Sequence, residues 1–513
     1  MPNSPVAPEN LRGMNLVNSP IWNKGTAFTP EERDAFALEG LLPPYVETLE
    51  EQVAKAYGGL RPETSDLDKH IYLRSLQDTN EVLFYRLLLD HSDELLPLIY
   101  RPTMAEGCGR FSDIYRRPRG LFVSYPLRDR IPELLRSRPY AEVDVIVVSD
   151  GEQVFGLGDA GVAGLSVPIG KLSLYTLFGG IHPSRTLPIV LDVGTNNQQL
   201  LNDPAYPGWR HERVTGQDYF DFVDQFVEAV KEELPGTCLQ WEDFAAGNAQ
   251  TILKRYQNEM PTFNDNLQGT AAVIAGALLA AFNVAGNVLR NGRIVLVGAG
   301  PECLTTADYL RREMEKEGLA SAEARKRIWL VDERDLSAVM KSVRPSALVG
   351  FSNSDAVFTE STVREMAAHT KRPIILTLSL SGHADQPDPQ ELIRWTEGRG
   401  LIASGSQVSS IYIFPAVGLG LAASRAARVT DGMMLAAARA LAERSPALQT
   451  PLGPLLPEIR DLREVVIDLA AAMACEAQNE GLAPRLPEEE LRQEIEETQW
   501  RPEYPALVHA VAV

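Results

Sequence analysis

Arg293–Val297 (RIVLV) is a short β-branched run that leads directly into Gly298-Ala299-Gly300 and then into the helical pattern of Leu304–Glu317. A second apolar run, Arg327–Val331 (RIWLV), ends at Asp332. A strand, a glycine-containing turn and a helix in this order are typical of the phosphate-binding turn of a doubly wound nucleotide-binding domain. The stretch therefore predicts an α/β fold that includes a Rossmann-like domain.

The residues of this turn predict a dinucleotide site. Gly298 allows the tight turn, and Gly300 lets the backbone approach a pyrophosphate at the helix N-terminus. Cys303 stands where a third small residue is usual, so we expect a looser helix–strand contact. Asp332 can accept hydrogen bonds from a ribose, which favours NAD over NADP, although it follows Gly300 by 32 residues, more than the usual spacing of about 20. Glu302 adds negative charge beside the phosphate position, so a Rossmann-like domain that binds no nucleotide remains the alternative.

The patterns on both sides of this turn divide the chain into three predicted domains. Residues 1–118 read as a helical N-terminal domain, residues 119–265 as an α/β domain with a parallel sheet, residues 266–410 as a Rossmann-like domain, and residues 411–513 as a mostly helical tail. The predicted strands outside the turn are Gly120–Tyr125, Val143–Ser149, Leu187–Val193, Cys238–Gln240, Ala347–Gly350, Ile374–Leu378 and Leu401–Ala403. The predicted helices include those at Glu81–His91, Gln217–Leu234 and Ala245–Glu259, and one that Thr29 caps before Pro30.

Composition limits the partners and the compartment. The 513 residues carry a formal net charge of −20, which argues against nucleic acid or an anionic membrane as the main partner. The apolar run Thr270–Leu289 contains two asparagines and reads as a buried helix, not a membrane span. Four scattered cysteines predict reduced thiols, and the polar, proline-rich N-terminus lacks a signal peptide. We therefore expect a cytoplasmic protein.

Several polar groups are candidates for chemistry. Glu242 and Asp243 follow the predicted strand Cys238–Gln240, and Asp265 and Asn266 lie in a polar loop before the apolar helix. Oxygen donors at such positions can bind Mg²⁺ or Mn²⁺, although solvated surface carboxylates are the alternative. Two further candidates are Lys171, which follows a glycine-rich stretch, and Tyr100, which ends a predicted helix; sequence alone does not pair them.

Longer stretches carry a family resemblance. In chain order they are EVLFYRLLLDH, LPLIYRPT, FSDIYRRPRGLFVSY, FGLGDAGVAGLSVPIGKLSLYT, LPIVLDVGTNNQQLLNDPAYPGW, WEDFAAGNA, TFNDNLQGTAAV and IFPAVGLG. With these stretches the chain resembles the malic enzymes, of the large type found in bacteria and animal mitochondria. The family resemblance implies that the tail, residues 411–513, completes the α/β domain and that the Rossmann-like domain is shortened.

This resemblance implies a divalent-metal-dependent, NAD-linked oxidative decarboxylation of a 2-hydroxy acid, which in the family is L-malate, with residues 119–265 as the catalytic domain. It implies that Tyr100 and Lys171 are catalytic and that Glu242 and Asp243 are ligands of Mg²⁺ or Mn²⁺. A lysine of lowered pKa would take the hydroxyl proton, the metal would polarise the ketone, and the tyrosine would protonate the enol. A homodimer or homotetramer is also implied.

The chain departs from the family pattern where the substrate should bind. Gln153 stands for an arginine, Leu380 and Ser410 stand for asparagines, and Asn266 stands for a third metal-binding aspartate that Asp265 could replace. Arg101 follows the catalytic tyrosine in place of threonine. Losing one arginine and two asparagine contacts would forfeit roughly 3–5 kcal/mol, or about 10²- to 10⁴-fold in malate binding.

The departures predict a small acidic metabolite other than L-malate as the substrate, with Arg101 binding its acidic group. The alternatives are an ordinary NAD-malic enzyme with an unusual pocket, a redox-free metal-assisted decarboxylase or proton-transfer enzyme, and a non-catalytic paralogue.

Overall fold

Two five-stranded parallel sheets form the centre of the protein. This confirms the predicted α/β fold with parallel sheets, for which the number of strands was not predicted. The computed structural model describes residues 11–298, 300–351, 357–378, 388–405, 408–450 and 453–507. The strands of the first sheet are β1 (Leu121–Ser124), β2 (Val145–Ser149), β3 (Thr186–Asp192), β4 (Cys238–Trp241) and β5 (Thr262–Asn264). Those of the second are β6 (Ile294–Val297), β7 (Ile328–Val331), β8 (Ala347–Gly350), β9 (Ile374–Thr377) and β10 (Leu401–Ser404).

Helices cover both faces of the sheets and build the N- and C-terminal parts of the chain. They are α1 (Met14–Val17), α2 (Pro30–Ala35), α3 (Leu49–Gly58), α4 (Asp66–Gln77), α5 (Glu81–Asp90), α6 (Ser92–Ile99), α7 (Thr103–Gly109), α8 (Phe111–Ile114), α9 (Ile131–Arg136), α10 (Ser166–Leu174), α11 (Gln198–Asn202), α12 (Gly216–Glu233), α13 (Ala246–Tyr256), α14 (Thr270–Val284), α15 (Pro301–Lys316), α16 (Ser321–Arg325), α17 (Leu336–Val343), α18 (Glu360–His369), α19 (Pro389–Trp395), α20 (Phe414–Ser424), α21 (Asp431–Glu443), α22 (Leu462–Asn479) and α23 (Glu488–Thr498).

Residues alternate along each central strand between two cores, which explains the continuous apolar runs in the sequence. In β2, Val145 and Val147 join the large core that includes α14 and α20, whereas Ile146 and Val148 pack with α12 on the opposite face. The strands of the second sheet alternate in the same way between the large core and a smaller one. Burial on both faces holds the carboxyl ends of the strands at a fixed edge.

The strand orders place two such edges. The first sheet runs β1-β3-β2-β4-β5, and the second runs β10-β9-β8-β6-β7. In the second sheet the order reverses between β6 and β8, which is the position where doubly wound sheets bind ligands. Gly298 follows β6 at this point with a φ of +141°, and a Cβ added to it would lie 3.0 Å from Cβ of Phe351.

The apolar run that begins at Thr270 forms α14, a buried helix, as predicted. The stretches Asp265–Val284 and Gly161–Gly179 have the length and hydropathy of membrane spans, but 83% and 89% of them, respectively, are buried inside the protein. Buried core helices of soluble proteins can have the same length and hydropathy, so these two stretches are weak evidence for a membrane span.

Candidate active site

The acidic residues meet because β4 and β5 are neighbours. Trp241 of β4 lies opposite Asn264 of β5 in parallel register. Their next residues, Glu242 and Asp265, therefore leave the same edge of the sheet side by side. Both are buried, with exposed fractions of 2% and 1%. The sequence prediction missed β5, because the three-residue strand is followed at once by polar residues and reads as a loop.

Lys171 lies between these two carboxylates. Helix α10 carries it, and its ammonium lies 3.2 Å from Oε1 of Glu242 and forms a hydrogen-bonded ion pair with Asp265. The other oxygen of Glu242 accepts a hydrogen bond of 2.8 Å from Gln240. The carboxylate of Asp265 also accepts one of 2.6 Å from the hydroxyl of Ser410. The structure therefore joins four predicted site residues in one buried network.

This network overturns the expectation that Lys171 has a lowered pKa. Burial by itself would lower the pKa of Lys171, but the carboxylates of Asp265 and Glu242 raise it well above its ordinary value. Burial raises the pKa of Glu242, although Lys171 opposes that shift. The sequence prediction was wrong on this point because spacing along the chain does not show which charges surround a lysine.

Tyr100 borders the same network at the C-terminal end of α6. The ammonium of Lys171 lies 5.7 Å from the centre of the Tyr100 ring and 4.5 Å from that of Phe414. Burial raises the pKa of Tyr100 to about 12, while Lys171 opposes the shift. The phenol is therefore protonated at neutral pH and able to donate a proton.

Asp243 turns away from this network and pairs with Asn266. Its backbone N–H donates to Oδ1 of Asn266 at 3.1 Å, and the amide nitrogen of Asn266 donates to Oδ1 of Asp243 at 3.2 Å. Its second carboxylate oxygen accepts from the backbone N–H of Phe155 at 3.2 Å. Asp243 and Phe155 have φ values of +55° and +49°, and such strained residues concentrate at functional sites.

Arg101 is the cation that acts most strongly on Asp243 of this pair. Its guanidinium lies over the ring of Phe155, 4.6 Å from the ring centre. Burial raises the pKa of Asp243, and Arg101 is the strongest of the influences that oppose this rise. Arg101 therefore brings positive charge to the position where the family pattern has a neutral threonine.

These side chains do not fit the divalent metal ion that the family resemblance implies. Among the described residues, no group of three or more histidines, cysteines, aspartates or glutamates is arranged to hold a metal ion. Glu242 and Asp265 face the ammonium of Lys171. Asn266 is neutral, and its oxygen already accepts the N–H of Asp243. The expected set of ligands, Glu242, Asp243, Asn266 and Asp265, is thus not assembled around one point.

The network opens on a cavity of about 690 Å³ between the two sheets. Residues of α6 and the segment after it, of α10, of segments that follow strands of both sheets, and of the stretches 408–412 and 454–459 line it. Among the predicted site residues, those lining the cavity are Tyr100, Arg101, Lys171, Glu242, Asp265, Asn266 and Ser410.

Two predicted substrate-binding residues fall elsewhere. Gln153 is exposed and is not part of this lining; its backbone N–H donates to the carbonyl of Asp243 at 3.2 Å. Leu380 lies outside the described residues. The sequence comparison singled out Gln153 because the family has an arginine there, but the strained backbone of the neighbouring Phe155 was not foreseeable from residue types.

The predicted phosphate-binding residues lie at the start of α15. Gly300 precedes this helix, and a Cβ added there would lie 2.6 Å from a carboxylate oxygen of Glu302. Cys303 is buried in the large core. Asp332 follows β7 and is paired with Arg334 at 2.9 Å on the surface. The glycines thus leave room for backbone approach, while Glu302 lies close to the expected phosphate position.

The site also contains residues that the sequence prediction did not name. Phe414 and Phe155 flank the two cations, and Gln240 fixes Glu242. Phe414 lies within the IFPAVGLG stretch, and Gln240 is two residues before Glu242, so both were within reach of the sequence signals. Phe155 begins the FGLGDAGVAGLSVPIGKLSLYT stretch, but its role depends on its backbone conformation, which residue types do not report.

Comparisons with known proteins agree with this architecture. The chain matches the malic enzyme N-terminal domain over residues 77–257 and the malic enzyme NAD-binding domain over residues 267–338 and 333–478. It is 46% identical to the NAD-dependent malic enzyme of Aeromonas hydrophila over 540 aligned positions, covering 96% of each chain. Identity and coverage are the same for the enzyme of Sodalis glossinidius.

Solved structures show the same fold at lower identity. The malic enzyme of Entamoeba histolytica superposes with a TM-score of 0.54 at 20% identity, covering 88% of this chain and 92% of that one. The malic enzyme of Pyrococcus horikoshii gives 0.52 at 22%, covering 79% and 89%. With the family domains matched along most of its length and close relatives at 46% identity, the chain belongs to the malic enzyme family.

Proposed function

We propose that the protein is an NAD-linked oxidoreductase that oxidises and decarboxylates a 2-hydroxy acid. The observation that carries this proposal is the buried network of Lys171, Glu242 and Asp265, which opens beside Tyr100 on the cavity between the two sheets. Relatives that are 46% identical bear the name NAD-dependent malic enzyme. A charged amine, a protonated phenol and two carboxylates are the groups that such proton transfers need.

The second sheet supports the proposed use of NAD. Gly298 and Gly300 border the N-terminus of α15, where a Cβ at Gly298 would lie only 3.0 Å from Cβ of Phe351 and one at Gly300 only 2.6 Å from the flexible carboxylate of Glu302. This leaves the space in which a pyrophosphate can meet helix N–H groups. NAD, when bound, accepts the hydride from the carbon that carries the substrate hydroxyl.

The proton chemistry follows from the contacts of Lys171, whose ammonium pairs with both Glu242 and Asp265. Because its two carboxylate partners keep this amine protonated, the ammonium acts as a hydrogen-bond donor to the substrate oxygen. The hydroxyl proton then passes to the carboxylate of Asp265, which lies against the same ammonium. Lys171 and Asp265 thus act as one proton-transfer unit, in place of a neutral lysine base.

Tyr100 serves the decarboxylation. After the oxidation, the carboxylate β to the new ketone leaves as CO₂; the electron pair of the broken C–C bond forms an enolate, and the ammonium of Lys171 stabilises its negative oxygen. The phenol of Tyr100, which is protonated at neutral pH, then donates its proton to the substrate carbon. When the product leaves, Asp265 gives up the proton taken from the hydroxyl and the phenolate takes one up, so the site returns to its starting state. No step of this proposal uses a divalent metal ion, because the described side chains do not fit one.

We also propose that the preferred substrate differs from L-malate. The cavity lining carries four carboxylates, Asp93, Glu242, Asp265 and Glu458, against the two cations Arg101 and Lys171. This balance disfavours a small dianion that depends on charge alone for binding. The lining also includes apolar side chains at Leu378, Ile411 and Leu456, which favour a malate skeleton with an apolar substituent and with one carboxylate bound by Arg101.

A substrate panel tests both parts of the proposal. NADH formation and CO₂ release are measured, in the presence of a chelator, with L-malate, D-malate, 3-alkylmalates, tartrate and lactate. We expect kcat/KM for a 3-alkylmalate to exceed that for L-malate by about tenfold or more. A higher kcat/KM for L-malate than for every other acid would refute the altered specificity but leave the oxidoreductase in place.

The other outcomes discriminate between the remaining functions. CO₂ release from a 2-keto acid without NAD would replace the proposal with a redox-free decarboxylase. No NADH and no CO₂ from any acid, with or without Mn²⁺, would replace it with a non-catalytic paralogue. The three-domain division at residues 118, 265 and 410, the homodimer or homotetramer and the cytoplasmic location stay predictions.

A further inference from the structure

We infer that the charge of the three buried carboxylates of this site is balanced to within one unit by two side chains of the protein itself, Lys171 and Arg101, and that the site takes up no divalent metal ion. This inference deepens the proposed function, because it names the source of positive charge at the reacting oxygen. It is tested by metal binding, which is measurable whether or not the protein is active.

The first line of support is the position of Lys171. Its ammonium pairs with both Glu242 and Asp265, and the side chains of all three are at most 3% exposed. The second oxygen of Glu242 accepts from Gln240, and the paired oxygen of Asp265 also accepts from Ser410. Two of the three carboxylates are therefore oriented by donors of the protein toward the amine.

The second line of support is the locked pair of Asp243 and Asn266. Each side chain bonds the other residue, at 3.1 Å and 3.2 Å, so the amide oxygen of Asn266 points at the backbone of Asp243. The remaining oxygen of Asp243 accepts from Phe155. A metal ion could bind the amide oxygen of Asn266 only if the hydrogen bond from the backbone N–H of Asp243 were broken. The ligand gained would be a neutral oxygen, which a hard divalent cation binds more weakly than a carboxylate.

The third line of support is the charge balance. Three carboxylates, Glu242, Asp243 and Asp265, face two cations, Lys171 and Arg101. The Arg101 guanidinium stacks on Phe155, the residue whose backbone binds Asp243. A third cation carrying two charges would leave this buried cluster net positive, and it would repel a guanidinium that cannot lose its proton. Arg101 thus takes the electrostatic place of the metal ion.

Mn²⁺ binding to the purified full-length protein tests the inference by electron paramagnetic resonance and calorimetry. We expect the unmodified protein to bind Mn²⁺ no more tightly than about 1 mM. Arg101→Thr with Asn266→Asp removes the guanidinium and adds a charged ligand, and should bind one Mn²⁺ at least tenfold more tightly. Asn266→Asp alone, which preserves the side-chain shape, should show a smaller gain.

The matched control is Arg110→Thr with Asn202→Asp, which changes the net charge equally at two exposed positions outside the cavity. It should leave Mn²⁺ binding unchanged, and melting curves check that each variant is folded. Tight binding of one Mn²⁺ by the unmodified protein, abolished by Glu242→Gln, would overturn the inference. Equal, weak binding by the unmodified protein, the double variant and Asn266→Asp would overturn the roles given to Arg101 and Asn266.

Discussion

The ammonium of Lys171 lies 3.2 Å from Oε1 of Glu242, and both side chains are only 3% exposed. Glu242 follows β4 and Lys171 lies on α10, so the contact ties a helix to the edge of the first sheet. Asp265 completes the pair from the neighbouring strand β5. The arrangement keeps the amine charged, and this charge is the property from which the proposed chemistry follows.

Replacing Lys171 by methionine should damage both activity and stability. The change keeps an unbranched side chain but leaves Glu242 and Asp265 buried without their cation. Turnover should fall by about 10²- to 10⁴-fold. The free energy of unfolding at neutral pH should drop by roughly 3 kcal/mol, because removing one partner of a buried ion pair leaves an uncompensated charge. Urea unfolding measures the second effect.

Two further variants make that result specific. Lys171→Met combined with Asp265→Asn removes one of the two buried carboxylates that lose their cation. The double variant should therefore be more stable than Lys171→Met alone. Lys254→Met, on the exposed face of α13, controls for losing a lysine. An equal loss of stability in the single and double variants would show that Lys171 contributes packing and not charge.

The strands of both sheets other than β5 were predictable because each is a short apolar run, and the central ones are buried on both faces. The runs at 145–149 and 347–350 are examples. The positions of Tyr100 at the end of α6 and of Gly298 after β6 were predictable because the sequence pattern shows the helix or strand that precedes each residue. The surroundings of Lys171 were not, since Asp265 is 94 residues away in the chain. A pKa depends on such distant charges, and residue spacing does not report them.

Removing the charge of Glu302 should tighten NAD binding. A Glu302 carboxylate oxygen lies beside Gly300, at the N-terminus of α15 where the pyrophosphate is expected. Glu302→Gln keeps the shape but removes the repulsion, so the Kd for NADH should fall by about three- to tenfold, or about 1 kcal/mol. Fluorescence titration with NADH measures the change. Glu315→Gln, three turns farther along the same helix, should have no effect, and an unchanged Kd for Glu302→Gln would place the pyrophosphate elsewhere.

Asp332 and Arg334 should together set the preference between NAD and NADP. The two side chains pair at 2.9 Å just after β7, where a ribose is expected. In Asp332→Ser the carboxylate is gone and Arg334 is released, so the affinity for NADPH should rise relative to NADH by about tenfold. The ratio of the two Kd values measures this. The double variant Asp332→Ser with Arg334→Ala should not show this increase in relative affinity for NADPH. If the increase persists in the double variant, Arg334 has no part in recognising the 2′-phosphate.

Acid should destabilise the protein through His70. Burial and, to a smaller extent, nearby Arg74 lower the pKa of His70 from 6.5 to about 4, while its Nδ1 donates to the carbonyl of Leu98 at 2.7 Å. Since the folded pKa lies below the unfolded value, the unfolded chain binds the extra proton first, and stability falls as the pH drops from about 6.5 toward 4. The loss of stability from this one group reaches about 3 kcal/mol at the acid end of this range.

The variant His70→Asn retains a donor for Leu98 without titrating, so the unfolding free energy of this variant should depend less steeply on pH between about 6.5 and 4. The control His211→Asn, at an exposed histidine, should show the same pH dependence as the unmodified protein. Parallel curves for His70→Asn and the unmodified protein would show that His70 does not cause the acid sensitivity.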